Sequence, residues 1–360
     1  MLLVDHHCHG VVRRDLDRAA FEALLTEADG PAPGTTLFDS AVGRAVRRLC
    51  APVLGLPPGA DPDGYLERRA ELGHADVTRR FLRAAGLAAV LVDTGYLPEP
   101  LTGPGELAAA AGAAAYEVVR LERVAESAME GGVTAAGFAG EVRQRLAAFV
   151  SLPTTVAFKS IAAYRVGLAL GDERPTDEQV RAAAGRWLGA GGGRLADETL
   201  HRFLAFAAAE TGLPIQFHTG LGDRDVDLRA CDPLLLAPWL RAVEPTGVRV
   251  LLLHCYPFHR EAAYLAQVFP GVHMDLGLAT HNVGDHAGRV LGEALELCPY
   301  GKFLYSSDGF GLPELHFLGA ALFRECVEPD IQRVTTDNAI RVYGDLGHDV
   351  GGEQSARFVT

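Results

Sequence analysis

The stretch Leu2-Leu3-Val4-Asp5-His6-His7-Cys8-His9 opens the chain and decides what kind of fold to expect. Its apolar start predicts a β-strand, in which side chains two residues apart point to the same face. This alternation predicts that His7 and His9 project together with Asp5 below them, while His6 and Cys8 face the other way. Two imidazoles that converge at the end of an apolar strand form half of a metal site. Exposed or hydrogen-bonded histidines are the alternative interpretation of this motif alone.

The composition indicates a folded protein without a basic surface. Of the 360 residues, 48% are hydrophobic and 22% are charged, and the formal net charge is −13. The negative charge argues against nucleic acid or an anionic membrane as a partner, and no stretch is long and apolar enough to span a bilayer. The six cysteines form no CxxC pair, and the amino terminus lacks a signal-peptide pattern. We therefore expect a cytoplasmic protein that acts on a small molecule, with homo-oligomer formation left open.

Short apolar runs alternate with segments of helical periodicity along the chain. The runs predict strands at about 2–8, 88–94, 117–123, 154–160, 214–219, 248–254, 272–278 and 302–308. Strands that alternate with helices are typical of a parallel sheet, and eight of them over this length predict an α/β fold of the (β/α)8 TIM-barrel type. A doubly wound open sheet is the alternative, although no GxGxxG follows the first strand.

The connection between the first two strands is too long for a simple loop. Residues 30–86 carry helical patterns on either side of a break at Pro57-Pro58-Gly59, and we interpret them as a helical insertion that caps the barrel mouth. A last helix at 331–343 begins a C-terminal segment, 331–360, that we expect outside the barrel. The whole chain, 1–360, is predicted to form one domain.

Three later strands end in a polar residue that follows an apolar run. His218 ends strand five, His254 ends strand six and Asp308 ends strand eight. In a (β/α)8 barrel the carboxyl ends of the strands line the active site. A buried structural histidine would fall anywhere along a strand, so the repeated placement favours metal ligands.

The same alternation predicts which other side chains point into the barrel. It places Gln216 inward on strand five, Val250 and Leu252 inward on strand six, and Lys159 inward at the end of strand four. A lysine ammonium would be repelled by a metal cation, whereas a lysine carboxylated by CO2 is anionic and can bridge two cations. A snorkelling lysine, or one paired with a substrate carboxylate, is the alternative.

Weaker candidates for substrate binding surround this set. Arg120 and Glu122 share one face of predicted strand three, Arg165 follows strand four, and His281 follows strand seven. Arginine is suited to bidentate recognition of a carboxylate; salt bridges between loops and a surface histidine are the alternatives. The remaining histidines lack convergent placement and are expected to be structural: His6, His74, His201, His259, His273, His286, His316 and His348.

The chain resembles the amidohydrolase superfamily, and more narrowly its amidohydrolase-2 branch of FluG- and nodulin-type proteins. The resemblance lies in the order along the chain of the HxH motif, the lysine, the two histidines and the aspartate, on strands one, four, five, six and eight. The segments that carry the resemblance are Val4-Asp5-His6-His7-Cys8-His9, Phe158-Lys159-Ser160-Ile161-Ala162-Ala163-Tyr164-Arg165, Gln216-Phe217-His218-Thr219-Gly220, Ser306-Ser307-Asp308 and Thr336-Asp337-Asn338-Ala339. The resemblance implies that His7, His9 and Asp308 bind one cation, that His218 and His254 bind a second, and that carboxylated Lys159 bridges them. Some members of the branch use a single metal, with the strand-six histidine acting on substrate.

The resemblance and the ligand types together predict a metal-dependent hydrolase. Imidazole and carboxylate ligands suit Zn²⁺, with Mn²⁺ or Fe²⁺ as alternatives, and the number of cations, one or two, is left open. A bound cation lowers the pKa of water to about 7, and we expect Asp308 to act as general base and then acid, with His254 as a second catalytic residue. The expected substrate contains an amide-type C–N bond, as in a γ-glutamyl or acylated amino compound, with Arg120 or Arg165 anchoring its carboxylate. Non-oxidative decarboxylation, or lactone hydrolysis, is the alternative function.

Overall fold

Seven parallel strands form one curled sheet in which the spatial order follows the chain order. The computed structural model describes residues 2–96, 98–344 and 346. The strands are β1 (Leu3–Cys8), β2 (Leu87–Asp93), β3 (Ala114–Arg120), β4 (Thr155–Ser160), β5 (Ile215–His218), β6 (Val250–Leu253) and β7 (Val272–Met274). The predicted parallel sheet is thus confirmed, with β3 lying three residues earlier than expected.

Helices connect the strands, as parallel pairing requires. They are α1 (Arg18–Ala23), α2 (Ala41–Ala45), α3 (Ala51–Val53), α4 (Pro62–Ala85), α5 (Pro104–Ala111), α6 (Leu121–Glu130), α7 (Phe138–Val150), α8 (Asp177–Gly189), α9 (Glu198–Ala209), α10 (Ala237–Val243), α11 (His259–Val268), α12 (Gly277–Asn282), α13 (Ala287–Leu295), α14 (Pro313–Cys326) and α15 (Pro329–Tyr343). Capping residues begin several of them: Thr176 and Gln179 form a capping box at the start of α8, and the Asp61 carboxylate accepts from Gly64 N at the start of α4. None of the described helices has the length and apolar character needed to cross a bilayer.

The segment 303–308 lies between the two edge strands of the sheet. It makes an isolated bridge to β7 and no regular ladder, so the described residues do not include the eighth strand predicted at 302–308 as a regular element. Backbone hydrogen bonds nevertheless tie it to both edges: Leu304 N donates to Met274 O at 3.0 Å, His6 N donates to Tyr305 O at 3.2 Å, and Asp308 N donates to His7 O at 3.0 Å. These bonds link β7 to β1 through the segment.

Two apolar cores lie on the two faces of the sheet. The inner one includes Val4, Leu91, Val118, Ala157, Leu251, Leu253 and Leu304. Ile215 and Phe217 lie in the outer core, as the alternation on β5 predicted. On β6 the predicted parity is wrong, because Leu251 and Leu253 lie in the inner core, whereas Val250 and Leu252 lie in the outer one.

The C-terminal helix does not pack only on the outside. Ala339 and Val342 of α15 are buried in the inner core together with Val4 of β1. The helix therefore closes one end of the sheet's interior, contrary to the expectation that it packs outside. Residues 347–360 lie outside the described part of the chain.

The segment 30–86 is helical, as predicted, and its longest helix packs on the outside of the sheet. α4 contacts α5 and α14, and it is kinked at Gly73, whose φ of 75° is accessible to glycine. Arg69 of α4 is 4% exposed and donates from Nε to Glu314 Oε1 of α14 at 2.8 Å. α4 thus occupies the position of a crossover helix, and the capping role of the segment stays a prediction.

Candidate metal centre and active site

A β-bulge in β1 changes the predicted parity of the opening motif. The pairing of β1 with β2 shifts register between Asp5 and Cys8. A bulge adds one residue to a strand and re-aims the side chains that follow it. His6 and His7 therefore both reach the interior, whereas Asp5 and Cys8 lie together on the outer side. The expectation that Asp5 lies beneath His7, with His6 facing away, is wrong.

Asp308 lies at the centre of the candidate site. Its Oδ1 is 3.2 Å from His7 Nε2 and 3.5 Å from His9 Nε2, and its Oδ2 is 3.3 Å from His254 Nδ1. The ring of His218 lies 4.8 Å from that of His254, centre to centre. The structure thus brings together, at one end of the sheet, five side chains from four distant segments of the sequence.

Two of these residues have left-handed backbone conformations. The φ angles of His254 and Asp308 are 70° and 49°, values that are uncommon outside glycine. The turn at His254 explains how its imidazole reaches the interior although Leu252 two residues earlier faces outward. Buried acids hold both turns: Asp275 Oδ1 accepts from His254 N at 2.6 Å, and Asp5 Oδ1 accepts from Ser307 N at 2.9 Å. Asp275 and this backbone contact of Asp5 have no signal in the sequence, because both depend on contacts between distant segments.

Lys159 is buried next to His7. Its side chain is 2% exposed and its Nζ lies 3.2 Å from His7 Nε2, so it does not snorkel. Burial lowers the pKa of its amine to about 8. A neutral amine, the form that reacts with CO2, is therefore accessible near neutral pH.

The protonation states of the histidines and of Asp308 are those required to bind a cation. Burial lowers the pKa of His7 to about 4 and those of His218 and His254 well below the ordinary value. Burial alone would raise the pKa of Asp308, but the His254 imidazole and the contacts of His7 and His9 hold it well below its usual range. Neutral imidazoles and an ionised carboxylate are the forms that bind metal.

Several buried atoms in this cluster make no hydrogen bond with described residues. They are His218 Nε2, His254 Nδ1 and Asp308 Oδ1. A buried polar atom without a partner costs about 1–3 kcal/mol, and metal binding in this cluster would give such atoms a partner. The donor ligand atoms of His7, His254 and Asp308 also lie within 4.8 Å of one another. The residues present fit a divalent metal ion.

Asp93, which the sequence analysis missed, supports His9. Its backbone oxygen lies 3.2 Å from His9 Nδ1, leaving Nε2 to face Asp308. Burial alone would raise the pKa of Asp93, but Arg120, whose Nη2 lies 2.5 Å from Oδ2, holds it well below its usual range. Asp93 ends an apolar strand just as Asp308 follows one, so the rule that found the ligands would also have found this residue.

A cavity of about 630 Å³ opens above the cluster, a volume typical of small-molecule sites. It is lined by the strand-end residues His9, Arg120, Lys159, His218, His254 and Asp308, and by Glu27, Tyr96, Tyr164, Arg165, Asp223 and His281 among others. Of the described residues, none between 30 and 86 lines it; the segment 23–29, at the end of α1, lies there instead.

Glu122 does not face this cavity. β3 ends at Arg120, and Glu122 lies in the first turn of α6, which corrects the prediction that the two share a strand face. Its Oε1 accepts from Ser160 Oγ at 2.9 Å and from Ile161 N at 3.0 Å. The carboxylate therefore orders the chain that follows Lys159, and a direct contact with substrate is not available to it.

The other three predicted substrate contacts do line the cavity. Arg120 is paired with Asp93, and Arg165 donates from Nη1 to Leu195 O at 3.3 Å. The buried Nε of Arg165 makes no hydrogen bond with a described residue, whereas the ring of His281, which is 3% exposed, contacts the backbone of Ser307. Arg165 thus retains a donor for a ligand.

Glu27 adds a carboxyl group to the cavity. Burial, and then the charges of Asp308 and Asp223, raise its pKa to about 7. In the described part of the chain it forms no ion pair. The sequence carries no signal for this residue, since it follows a short helix far from any strand end.

We expect Glu27→Gln to stabilise the protein at alkaline pH. The folded pKa of Glu27 exceeds the ordinary value of 4.5, so the folded state favours the protonated form. Its contribution to stability is complete below about pH 4.5 and is lost as the pH rises through about 7. At pH 8 the variant should unfold with a free energy about 1–3 kcal/mol above that of wild type, and at pH 4.5 with no gain.

Urea denaturation of the metal-free protein at both pH values measures this difference. Glu67→Gln, at an exposed position, is the matched control and should show no pH-dependent gain. An equal effect of Glu27→Gln at both pH values would contradict the assignment of the buried charge.

Known proteins resemble this chain in both structure and sequence. The structure is similar to a protein from Lactobacillus casei ATCC 334 provisionally named a metal-dependent hydrolase, with a TM-score of 0.84 and 29% identity over 95% of this chain and 94% of that one. The family model described as Amidohydrolase matches residues 4–344. The chain therefore belongs to the amidohydrolase superfamily, in its amidohydrolase-2 branch, which confirms the resemblance found in the sequence.

Two further proteins share part of the sequence or the fold with this chain. The chain is 36% identical to Protein fluG of Emericella nidulans over 190 residues, which cover 49% of this chain but only 22% of that protein. Glucuronate isomerase from Caulobacter crescentus aligns with a TM-score of 0.59 and 14% identity over 95% of this chain and 91% of that one. At that identity the isomerase shows the shared fold alone.

Proposed function

We propose that the protein is a metal-dependent hydrolase that cleaves an amide-type C–N bond of a small molecule. The observation that carries the proposal is the convergence of buried imidazoles on the Asp308 carboxylate at the floor of the cavity. We further propose that segment 303–308 serves as the eighth strand of a (β/α)8 barrel, which would make this end of the sheet the active-site face.

The proposed ligands are residues whose imidazole nitrogens and carboxylate oxygens lie close to one another. His7, His9 and Asp308 would hold one cation, and His218 and His254 would hold a second or contact the substrate. A divalent cation bound here would polarise the scissile carbonyl and lower the pKa of a water molecule to about 7. Zn²⁺ is the proposed metal because imidazole and carboxylate ligands suit it; Mn²⁺ and Fe²⁺ are alternatives.

Asp308 is the proposed general base. Its pKa lies well below the usual range, so the group is ionised at neutral pH, which is the form that can accept a proton from the attacking water. The same carboxyl would then deliver the proton to the leaving nitrogen. His254, 3.3 Å from Asp308 Oδ2, is placed to hydrogen-bond the reacting groups.

The cavity also offers cationic groups for a substrate carboxylate. Arg165 has a free buried Nε, and Arg120 lies beside the ligand cluster, so an acidic acyl group such as γ-glutamyl suits the site. An acylated amino compound with its carboxylate on the other side of the amide suits it equally.

Lys159 is proposed to be carboxylated. Its neutral amine would attack CO2, forming an N–C bond and releasing a proton, and the resulting carbamate oxygens would provide the anionic ligand that an ammonium cannot. Nuclear magnetic resonance of protein equilibrated with isotopically labelled bicarbonate would detect a carbamate carbon, which Lys159→Met should abolish.

Metal analysis combined with two product assays tests the proposal. Purified protein should contain a divalent cation, lose activity on chelation, and release amine from γ-glutamyl or N-acyl amino-acid amides after metal is restored. Absence of bound metal, with no activity after metal addition, would overturn the proposal. Release of CO2 from aromatic or unsaturated acids without any amine release would favour the decarboxylase alternative.

A further inference from the structure

We propose that Gln216, held in place by Tyr343 of the C-terminal helix, positions His7 by fixing which of its ring nitrogens carries the proton. The inference rests on the proposed metal site. It adds two positioning residues, one of them on a helix that the sequence places far from every ligand.

The orientation of the Gln216 amide follows from its surroundings. The side chain is fully buried, and its Nε2 lies 2.8 Å from the backbone oxygen of His6 and 2.9 Å from the Tyr343 hydroxyl. A backbone carbonyl can only accept, so the amide NH2 must face His6. With the amide turned the other way, two oxygens would meet in a buried site, which costs the desolvation of both.

This orientation determines the tautomer of His7. The Gln216 Oε1, which can only accept, lies 2.8 Å from His7 Nδ1. His7 therefore donates from Nδ1, and its Nε2 keeps a lone pair, which can accept from Lys159 Nζ at 3.2 Å in the metal-free protein. The same nitrogen lies 3.2 Å from Asp308 Oδ1, where a bound cation would lie between the two ligand atoms. Histidines that bind metal commonly donate their other N–H in this way, and the partner raises the basicity of the ligand.

Tyr343 gives Gln216 its second acceptor and completes a chain of bonds. Its hydroxyl accepts from Gln216 and can donate to His6 Nδ1, which lies 2.8 Å away. His6 Nε2 in turn lies 2.8 Å from Asp275 Oδ2, and Asp275 also accepts from the backbone of His254. The C-terminal helix is thus connected to two proposed metal ligands, His7 and His254.

The β1 bulge makes this arrangement possible. With regular alternation, His6 would face the outer core when His7 faced inward. The bulge brings the two imidazoles into the interior together, so one glutamine contacts the backbone of the first and the ring of the second.

Imidazole nitrogen spectra of the metal-free protein test the inference directly. The His7 signals, assigned by their absence in His7→Gln, should show a proton on Nδ1 in wild type. The comparison is made in a Lys159→Met background, because Lys159 Nζ can donate to His7 Nε2 and favours the same tautomer. There, Gln216→Glu keeps an acceptor for His7 and should retain this tautomer, whereas Gln216→Leu should lose it. Tyr343→Phe is a nearly isosteric change. In this variant the His7 tautomer with its proton on Nδ1 should still predominate, but by a smaller margin than in wild type.

Metal affinity, measured by competition with a chromogenic chelator, provides the second readout. Gln216→Leu should bind Zn²⁺ about 10–100-fold more weakly than wild type, and Tyr343→Phe should fall between the two. Gln332→Leu is the matched control. Gln332 is also buried and donates to two backbone carbonyls, those of Arg324 and Val327, but among the described residues it makes no hydrogen bond to a proposed ligand. It should leave both readouts unchanged.

A wild-type His7 that carries its proton on Nε2 would overturn the inference, and so would unchanged zinc affinity in Gln216→Leu. If no variant, wild type included, binds metal, the proposed function fails while the tautomer measurement still decides the role of Gln216. If Gln216→Leu does not fold, the wild-type tautomer and the Tyr343→Phe affinity remain decisive.

Discussion

Asp308→Asn should lower kcat by about 10³–10⁴-fold, the largest effect we expect from one substitution. The amide cannot accept the proton of the attacking water, and it removes the negative charge on which His7, His9 and His254 converge. Asparagine tolerates the left-handed conformation that Asp308 adopts, so the backbone turn should survive. Steady-state kinetics on the metal-restored enzyme, with metal content measured in parallel, provide the check.

The kinetics of Asp308→Asn separate two ways of losing activity. A variant with full metal content but greatly reduced kcat has lost the general base, whereas a variant without metal has lost a ligand. Asp330→Asn, which changes an exposed carboxylate that does not line the cavity, is the control and should stay within about twofold of wild type, as surface substitutions usually do. Wild-type turnover in Asp308→Asn would remove Asp308 from the mechanism.

His254→Asn should lower kcat by about 10²–10⁴-fold, the second largest effect. The φ of 70° at this position again suits asparagine, and the backbone N–H would still donate to Asp275. The side chain loses the imidazole nitrogen that lies 3.3 Å from Asp308 Oδ2. Metal content then identifies the role: a loss of one cation per chain assigns His254 as a ligand, and unchanged content assigns it to the substrate.

His273→Asn is the matched control for this substitution. His273 lies on β7, is partly buried, and does not line the cavity. Its kinetics and metal content should equal those of wild type. If His254→Asn also matched wild type in both measurements, neither of the two proposed roles would hold.

Periodicity identified some inward residues correctly and others incorrectly, for a reason visible in the backbone. The pairing of β4 with β5 is regular from Phe158 to Ser160, so alternation placed Lys159 and His218 in the interior as the structure does. β1 contains a bulge and β6 ends in a left-handed turn, so alternation misplaced His6 and the residues before His254. Parity is a local rule, whereas a bulge depends on pairing with a strand about eighty residues away.

Among the acidic residues around the site, too, some could be predicted from the sequence and others could not. Asp93 ends an apolar strand and was within reach of the strand-end rule, but Asp275 and Asp5 act through backbone N–H groups that only the folded chain brings near them. Glu27 reaches the cavity from a short helix, and its raised pKa results from burial that no local pattern indicates.

The parallel α/β sheet, the family and the ordered set of ligand types at successive strand ends could all be predicted from the sequence. These features are carried by local apolar runs and by the residue that follows each run. Only the folded chain shows that three imidazoles meet at Asp308, that Glu122 orders the chain after Lys159 and does not line the cavity, and that Tyr343 of the last helix contacts Gln216 beside His7. Each of these contacts joins residues far apart in sequence, and hydrogen-bond geometry and burial between such residues exist only after the chain has folded.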